Sequence, residues 1–501
     1  MVMTRAGRLA PAFLAGLLGL IAPGGNADER RALPRAPYVS HGSVVVDGIA
    51  TRPGRIELPY RLHRKPGPAR PMLFFLGGGP GVSNLKNEPP AAWLDDFDVA
   101  VLEYRGVGKS SIVLDSPYFA RGLRTLRGRL ALADTAPLQQ AYRDGFDDLR
   151  RQGVAFEDFS VDALAEDLER LRQALGVPQV YLVGHSFGTR IALAYQTRHR
   201  QRVAGSVLFA MNTPGGFVWQ PQQVQQVLQR YADHLARRGD GAAAAAALRQ
   251  ALAKPAARPE RYLGVLPVND AKALFVAYFM SFNSWTRDWS LRAVTGAQQG
   301  EGARWFLFSA AYDWFIRFGF NWADFFLKAY ATDCDEAAIR AVDQAGQGTL
   351  FQSPSSVLFA GTAAYVAAGG RCAPSGLTPD YRNTLAINGE FDTTTPIERR
   401  PEGLPADRYV VIPGAGHADI LYPDLGAAAH WLRGFLLHPD RAYPPSSSAG
   451  CGPEVSKPPA EPGAEGQRNA GNGASCSTPL PPPSPPRGGL ATLGGTPHER
   501  R

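Results

Sequence analysis

The sequence predicts an α/β fold built on a mostly parallel sheet, with a helical cap subdomain inserted before the last strands. Three observations predict it. Short apolar runs alternate with helix-spaced segments between residues 72 and 209, which is the rhythm of βαβ units. A Gly-x-Ser-x-Gly stands between one of these runs and a helix. Near Asn212 the rhythm breaks, the chain turns helical and aromatic, and strands resume at Thr384.

At the N-terminus, Arg5 and Arg8 precede an apolar run from Leu9 to Ile21, followed by small residues up to Ala27. That is the pattern of a signal peptide, so residues 1–27 are expected to be cleaved and the mature chain to be periplasmic or secreted. The run is too short to span a bilayer comfortably, and no cysteine follows it to accept a lipid. No stable membrane association is therefore expected after cleavage; an uncleaved anchor is the alternative.

The core begins in residues 28–211. Val44-Val45-Val46 and Arg55 to Leu62 read as an antiparallel opening pair. Met72-Leu73-Phe74-Phe75-Leu76 and Val99 to Tyr104 are continuous runs, as strands buried on both faces should be. Leu164, Leu168, Leu171 and Leu175 repeat at helical spacing, with Ser160 as N-cap and Gly176 as the stop. Val180 to Val183 is the next strand, Thr189 to Tyr195 a helix, and Gly205 to Phe209 a further strand.

Residues 212–379 form the expected cap, with an alanine run at 242–247 and a dense series of Phe, Tyr and Trp from Phe275 to Phe326. Most of these aromatics must be core. An insertion between sheet strands lies over their carboxyl ends, however, so some should line a pocket. The sheet resumes in residues 380–441, with Thr384 to Ile387 and Arg408 to Ile412. Residues 442–501 are a Pro/Gly/Ser-rich tail with too little apolar surface to order itself.

Bulk properties exclude several classes. Apolar content of 45% suits a sizeable core. The formal charge of +8 is spread over scattered arginines and never forms a stripe interleaved with aromatics, so no nucleic-acid partner is expected. Of the four cysteines, Cys334 and Cys372 fall in the folded region and can pair. Cys451 and Cys476 lie in the tail, where a bridge would close a loop of disordered chain. No Cys-x-x-Cys or Cys/His cluster suggests a metal.

Gly184-His185-Ser186-Phe187-Gly188 carries the chemistry. Between a strand and a helix, this pattern is a nucleophile elbow: a turn so sharp that the serine hydroxyl is held out above the sheet. A serine needs a base within hydrogen-bond reach and a carboxylate to orient that base. Both must follow Ser186 on loops after later strands, where ligands of open α/β sheets bind. Asp392 lies in the loop after Ile387, and His417 in the glycine loop after Ile412. Glu390 is the rival acid; Asp392 is preferred for its position before Thr393-Thr394-Thr395-Pro396. His417 combines a glycine loop after a strand with the correct chain order. His63, His199, His234 and His430 stand in surface-like contexts, and His185 should pack beneath the serine. For the oxyanion, Phe187 offers the backbone N–H next to the nucleophile. The second donor is expected from Gly77-Gly78-Gly79-Pro80-Gly81, with Gly78 favoured and Gly79 the alternative. That loop lacks the Gly-Lys-Ser/Thr ending of a phosphate cradle.

These motifs resemble the prolyl aminopeptidase and tripeptidyl aminopeptidase family of serine peptidases with the α/β-hydrolase fold. Gly77 to Gly81 is similar to its H-G-G-P-G or N-G-G-P-G loop, and Glu103 to Ser110 to its D-x-R-G-x-G-x-S segment. Gly184 to Arg190 is similar to its G-x-S-Y-G-T-R elbow, and Gly389 to Pro396 to its G-x-x-D-x-x-T-P. Gly77 replaces the leading His or Asn, and Glu103-Tyr104 the usual Asp-Gln. The resemblance implies an exported exopeptidase that needs no cofactor and releases N-terminal residues or short peptides. An esterase or lipase-like enzyme with the same triad is the alternative, so the expected partner is a small peptide or ester substrate. Glu301, Asp313, Asp324, Asp333 and Asp335 are the cap acids that could receive a substrate amino group.

Overall fold

The computed structural model describes residues 38–48, 54–125, 136–237, 241–246, 261–262, 266–267, 283–284, 286–287, 289–291, 319–346, 358–421 and 432–437. The signal-peptide reading, the tail and the Cys451–Cys476 pair lie outside them.

An antiparallel pair opens the sheet: β1 (Val39–Asp47) and β2 (Arg55–His63), with Val44 opposite Leu58 and Val46 opposite Ile56. Val44 and Val46 are buried while Val45 between them is exposed, the period-2 alternation of a half-covered strand. β3 (Met72–Leu76) and β4 (Asp98–Leu102) show no such alternation, because every residue is buried. Leu73 and Phe75 enter one core and Phe74 and Leu76 the other, so helices cover both faces of the sheet. β4 stops at Leu102, before the expected end at Tyr104, because Glu103 turns away to bind the loop after β3.

Two helices, α1 (Pro117–Thr125) and α2 (Ala136–Arg151), precede α3 (Val161–Ala174). In α3 the Ser160 hydroxyl accepts from Ala163 N, and Leu164, Leu168 and Leu171 are buried. Then follow β5 (Val180–His185), α4 (Phe187–Arg198) and β6 (Val203–Phe209). The inserted segment contributes α5 (Pro221–Ala236), a two-residue pair β7 (Arg261–Tyr262) and β8 (Leu266–Pro267), α6 (Trp322–Asp333), α7 (Glu336–Gly346) and α8 (Thr362–Ala367). The sheet closes with β9 (Thr384–Gly389) and β10 (Tyr409–Ile412).

The strand order is β1-β2-β4-β3-β5-β6-β9-β10, with β1, β2 and β4 joined antiparallel and all neighbours from β4 to β10 parallel. Chain progress reverses between β3 and β5. That is the topological switch point, where the loops after two adjacent strands diverge and leave a crevice at their carboxyl ends.

Among the described residues, the inserted helices share a core with α1 and α2. Phe326 and Tyr330 of α6 and Tyr365 of α8 pack against Phe119 of α1 and Tyr142 and Phe146 of α2, within one buried cluster. A disulfide joins Cys334, just after α6, to Cys372 beyond α8. Among the described residues, no helix is long and apolar enough to cross a membrane.

Candidate active site

Ser186 occupies the turn between β5 and α4 with φ 52° and ψ −121°, a left-handed conformation that non-glycine residues rarely adopt. Its neighbours hold it there. Ser186 N donates to Phe209 O at 3.0 Å, and Thr189 donates to Ser186 O through both its N (3.0 Å) and its hydroxyl (2.6 Å). The elbow glycines answer to close approach: a Cβ at Gly188 would lie 2.1 Å from Leu76 O, and one at Gly184 would lie 2.9 Å from Thr189 N.

The fold brings Ser186, Asp392 and His417 together. His417 Nε2 is 2.9 Å from Ser186 Oγ, and His417 Nδ1 is 2.7 Å from Asp392 Oδ2. All three side chains are buried. A carboxylate can only accept, so Nδ1 carries the imidazole proton and the Nε2 lone pair faces the serine hydroxyl. The carboxylate of Asp392 also accepts from Thr394 N (2.8 Å), Thr395 N (3.0 Å) and Thr395 Oγ1 (2.5 Å). Burial alone would raise its pKa, but the His417 imidazole and the Thr395 bonds outweigh that and hold the carboxyl below its ordinary value.

Glu390 is spent elsewhere: its carboxylate accepts from Gly414 N at 2.8 Å and ties the acid loop to the His417 loop. Phe391 N to Ala415 O, at 2.9 Å, adds a second tie. From the inserted segment, Arg287 donates to Gly414 O at 2.7 Å and lies over the Phe391 ring. His63, expected in a surface-like context, is 3% exposed, because it ends the strand paired with β4.

Gly78 passes over Ser186, since a Cβ there would lie 3.1 Å from Ser186 Cβ. A Cβ on Gly79 would instead face Gly81 N and Val82. Phe187 is the first residue of α4, so its N–H belongs to the orphan donors of a helix start. The loop is anchored from below. Asn84 accepts from Gly77 N at 2.8 Å and donates to Phe75 O and Leu102 O. Gly77 stands where the resemblance expects His or Asn because Asn84 and Asn87 already fill that space: a Cβ would lie 2.0 Å from Asn87 Nδ2. Glu103 accepts from Ser83 Oγ (2.6 Å), Asn84 N (2.9 Å) and Lys109 N (3.1 Å).

Sequence reasoning did not single out Asn84, Thr395 or this role for Glu103. The signal for Glu103 was present, a lone charge at the end of an apolar run.

Three of the five cap acids are engaged. Asp324 pairs with Lys328 at 2.7 Å and accepts from Gly81 N at 2.9 Å. Asp333 takes Arg190 in a two-point pair at 2.7 and 2.9 Å, plus Gly215 N and Phe217 N. Asp335 accepts from Ala337 N and Ala338 N at the start of α7. Glu301 and Asp313 lie outside the described residues. Among the described residues, no group of three or more His, Cys, Asp or Glu could hold a metal ion.

No curated protein matches the chain. Among solved structures it is similar to a thermophilic esterase from Thermogutta terrifontis, at 19% identity over 79% of this chain and 98% of that one, with a TM-score of 0.34. A proline iminopeptidase-related protein from Thermus thermophilus is similar at 21% identity over 79% and 99%, with a TM-score of 0.36. A bromoperoxidase from Bacillus anthracis is similar at 14% identity over 79% and 99%, with a TM-score of 0.35. A family model described as the alpha/beta hydrolase fold matches residues 71–424, which take in every strand from β3 to β10 and the loops that carry Ser186, Asp392 and His417. The chain therefore belongs to the α/β-hydrolase fold family.

Proposed function

We propose that the protein is a serine hydrolase that transfers an acyl group to Ser186. The observation that carries this reading is the continuous hydrogen-bonded line Ser186–His417–Asp392, at 2.9 and 2.7 Å, on loops at the carboxyl ends of three strands. Ser186 Oγ attacks the substrate carbonyl carbon while its proton passes to His417 Nε2. Asp392 keeps the imidazole in the required tautomer and stabilises the imidazolium. The negative charge that develops on the carbonyl oxygen is met by the N–H groups of Phe187 and Gly78, with Gly79 the alternative second donor. When the tetrahedral intermediate collapses, His417 returns the proton to the leaving group. Water then repeats the sequence on the acyl-enzyme. Every proton moves through His417, so this chemistry calls for no cofactor.

As substrate we propose the N-terminus of a peptide, cleaved to release single residues or short peptides. The resemblance of the four motifs supports this reading. A second reading, a carboxylesterase, is favoured by one observation: Asp324 and Asp333 are buried and already paired with Lys328 and Arg190, and do not offer a carboxylate to a substrate ammonium. Export is proposed from the pattern of residues 1–27, and the Cys334–Cys372 bridge supports an oxidising compartment.

Labelling with a fluorophosphonate tests the nucleophile: wild type should react and Ser186→Ala should not. A panel of aminoacyl and peptidyl amides, with free and acetylated N-termini, against p-nitrophenyl acyl esters then separates the substrates. Turnover of esters alone, or of acetylated and free peptides equally, would refute the aminopeptidase reading.

A further inference from the structure

His185 is the last residue of β5, directly before Ser186, and it is buried. Its Nε2 lies 3.1 Å from the main-chain oxygen of His417. A carbonyl oxygen only accepts, so Nε2 carries the proton and donates, which fixes the tautomer and leaves the lone pair on Nδ1. The Nδ1 edge faces another part of the site: a Cβ built on Gly78 would lie 3.2 Å from it. The two imidazoles, His185 and His417, stand 5.1 Å apart at 51°. One ring therefore hydrogen-bonds the peptide of the base and stands beside the loop that offers the oxyanion donor.

We propose that His185 is a positioning residue for acyl transfer: it holds the main chain of His417 by a hydrogen bond and sets the distance between that base and the Gly78 backbone. The proposal rests on the reading of Ser186 and His417 given above. Acyl transfer needs both partners of the serine, proton acceptor and oxyanion donors, in register with one carbonyl group, and a misplacement of about 1 Å can cost on the order of a hundredfold. A histidine suits the task because it donates without bringing a charge. Burial, and then the neighbouring His417, push the His185 pKa down to about 3, so the ring is neutral when His417 takes the serine proton. A lysine or arginine here would set a cation beside the imidazolium. Leucine would fill the volume but leave the His417 carbonyl without this donor. Glutamine can carry an N–H to nearly the same point.

The test compares full-length wild type with His185→Leu and His185→Gln. It uses whichever ester or amide the wild type turns over, together with fluorophosphonate labelling rates and melting temperature. His185→Leu should lower kcat and the labelling rate on the order of ten- to a hundredfold, with KM changed only a few-fold. His185→Gln should recover most of that loss. An unchanged kcat in His185→Leu would overturn the proposal, as would equal losses in both variants, which would mean packing alone. Should neither variant fold, ring-nitrogen NMR of wild type decides: a proton on Nε2 of His185 supports the proposal and one on Nδ1 overturns it. A wild type that folds but resists the fluorophosphonate would instead overturn the assignment of Ser186.

Discussion

Asp392→Asn isolates the carboxylate proposed to orient His417 with the smallest change in shape. The side chain has two ways to sit. In one, its oxygen takes the place of Oδ1 and keeps the bonds from Thr394 N and Thr395 N, while its NH2 group faces His417 Nδ1 and Thr395 Oγ1. The threonine hydroxyl can rotate to accept. The flipped amide would point its NH2 at two backbone N–H groups, at a cost of about 1–3 kcal/mol for each buried donor left unpaired. The first arrangement wins, and its consequence is chemical. His417 Nδ1 must now accept from the amide, so the imidazole proton moves to Nε2, which faces Ser186 Oγ and can no longer take the serine proton. The expected loss in kcat is roughly ten-thousand-fold, or about 5.5 kcal/mol of transition-state stabilisation. Glu390→Gln is the internal control: an amide oxygen can still accept from Gly414 N, so turnover should change by no more than a few-fold. Steady-state kinetics on a chromogenic ester or amide, with melting temperatures of both variants, decide the matter. The reverse ranking, or an Asp392→Asn enzyme near wild-type rate, would refute the assignment of the acid.

If the two side chains act as a unit, Ser186→Ala and His417→Ala should each cost on the order of a million-fold in kcat, and the double variant should be little worse. Additive losses in the same kinetic assay would show that they act separately. Gly188→Ala should destabilise by at least about 3 kcal/mol, because its Cβ would meet Leu76 O at 2.1 Å and backbone cannot yield cheaply; urea unfolding measures this. His185 also makes stability pH-dependent. Its pKa falls from 6.5 to about 3 on folding, so between those values the unfolded chain binds more protons and stability drops as pH falls. At pH 4.5 the loss relative to neutral pH should be about 3 kcal/mol, and His185→Gln should remove it from the urea-unfolding profile. Asp392 acts lower on the scale: its depressed carboxyl contributes stability that is complete above about pH 4 and lost only as pH falls through the folded value.

Local rules made the fold legible in the sequence. The all-buried strands β3 and β4, the leucine spacing of α3 with its Ser160 cap, and the elbow between β5 and α4 are each dictated by residues within a few positions of one another. Chain order and strand ends were enough to nominate Ser186, Asp392 and His417, because in a parallel sheet the loop after each strand opens on the same edge. What sequence could not decide was where a carboxylate points. Asp392 and Glu390 sit two residues apart in one loop, and only the folded chain turns one toward His417 and the other toward Gly414 N. The cap acids tell the same story over longer distances. Arg190 and Asp333 are 143 positions apart, yet they form a fully buried pair that takes Asp333 away from any ligand. Phe326, Tyr330 and Tyr365 of the inserted segment likewise join the cluster around α1 and α2, from residues far away in the chain. Periodicity and turn chemistry are short-range and show in the order of residues. The partner of a buried charge or ring is set by which surfaces meet when the layers close, and that lies in the tertiary structure alone.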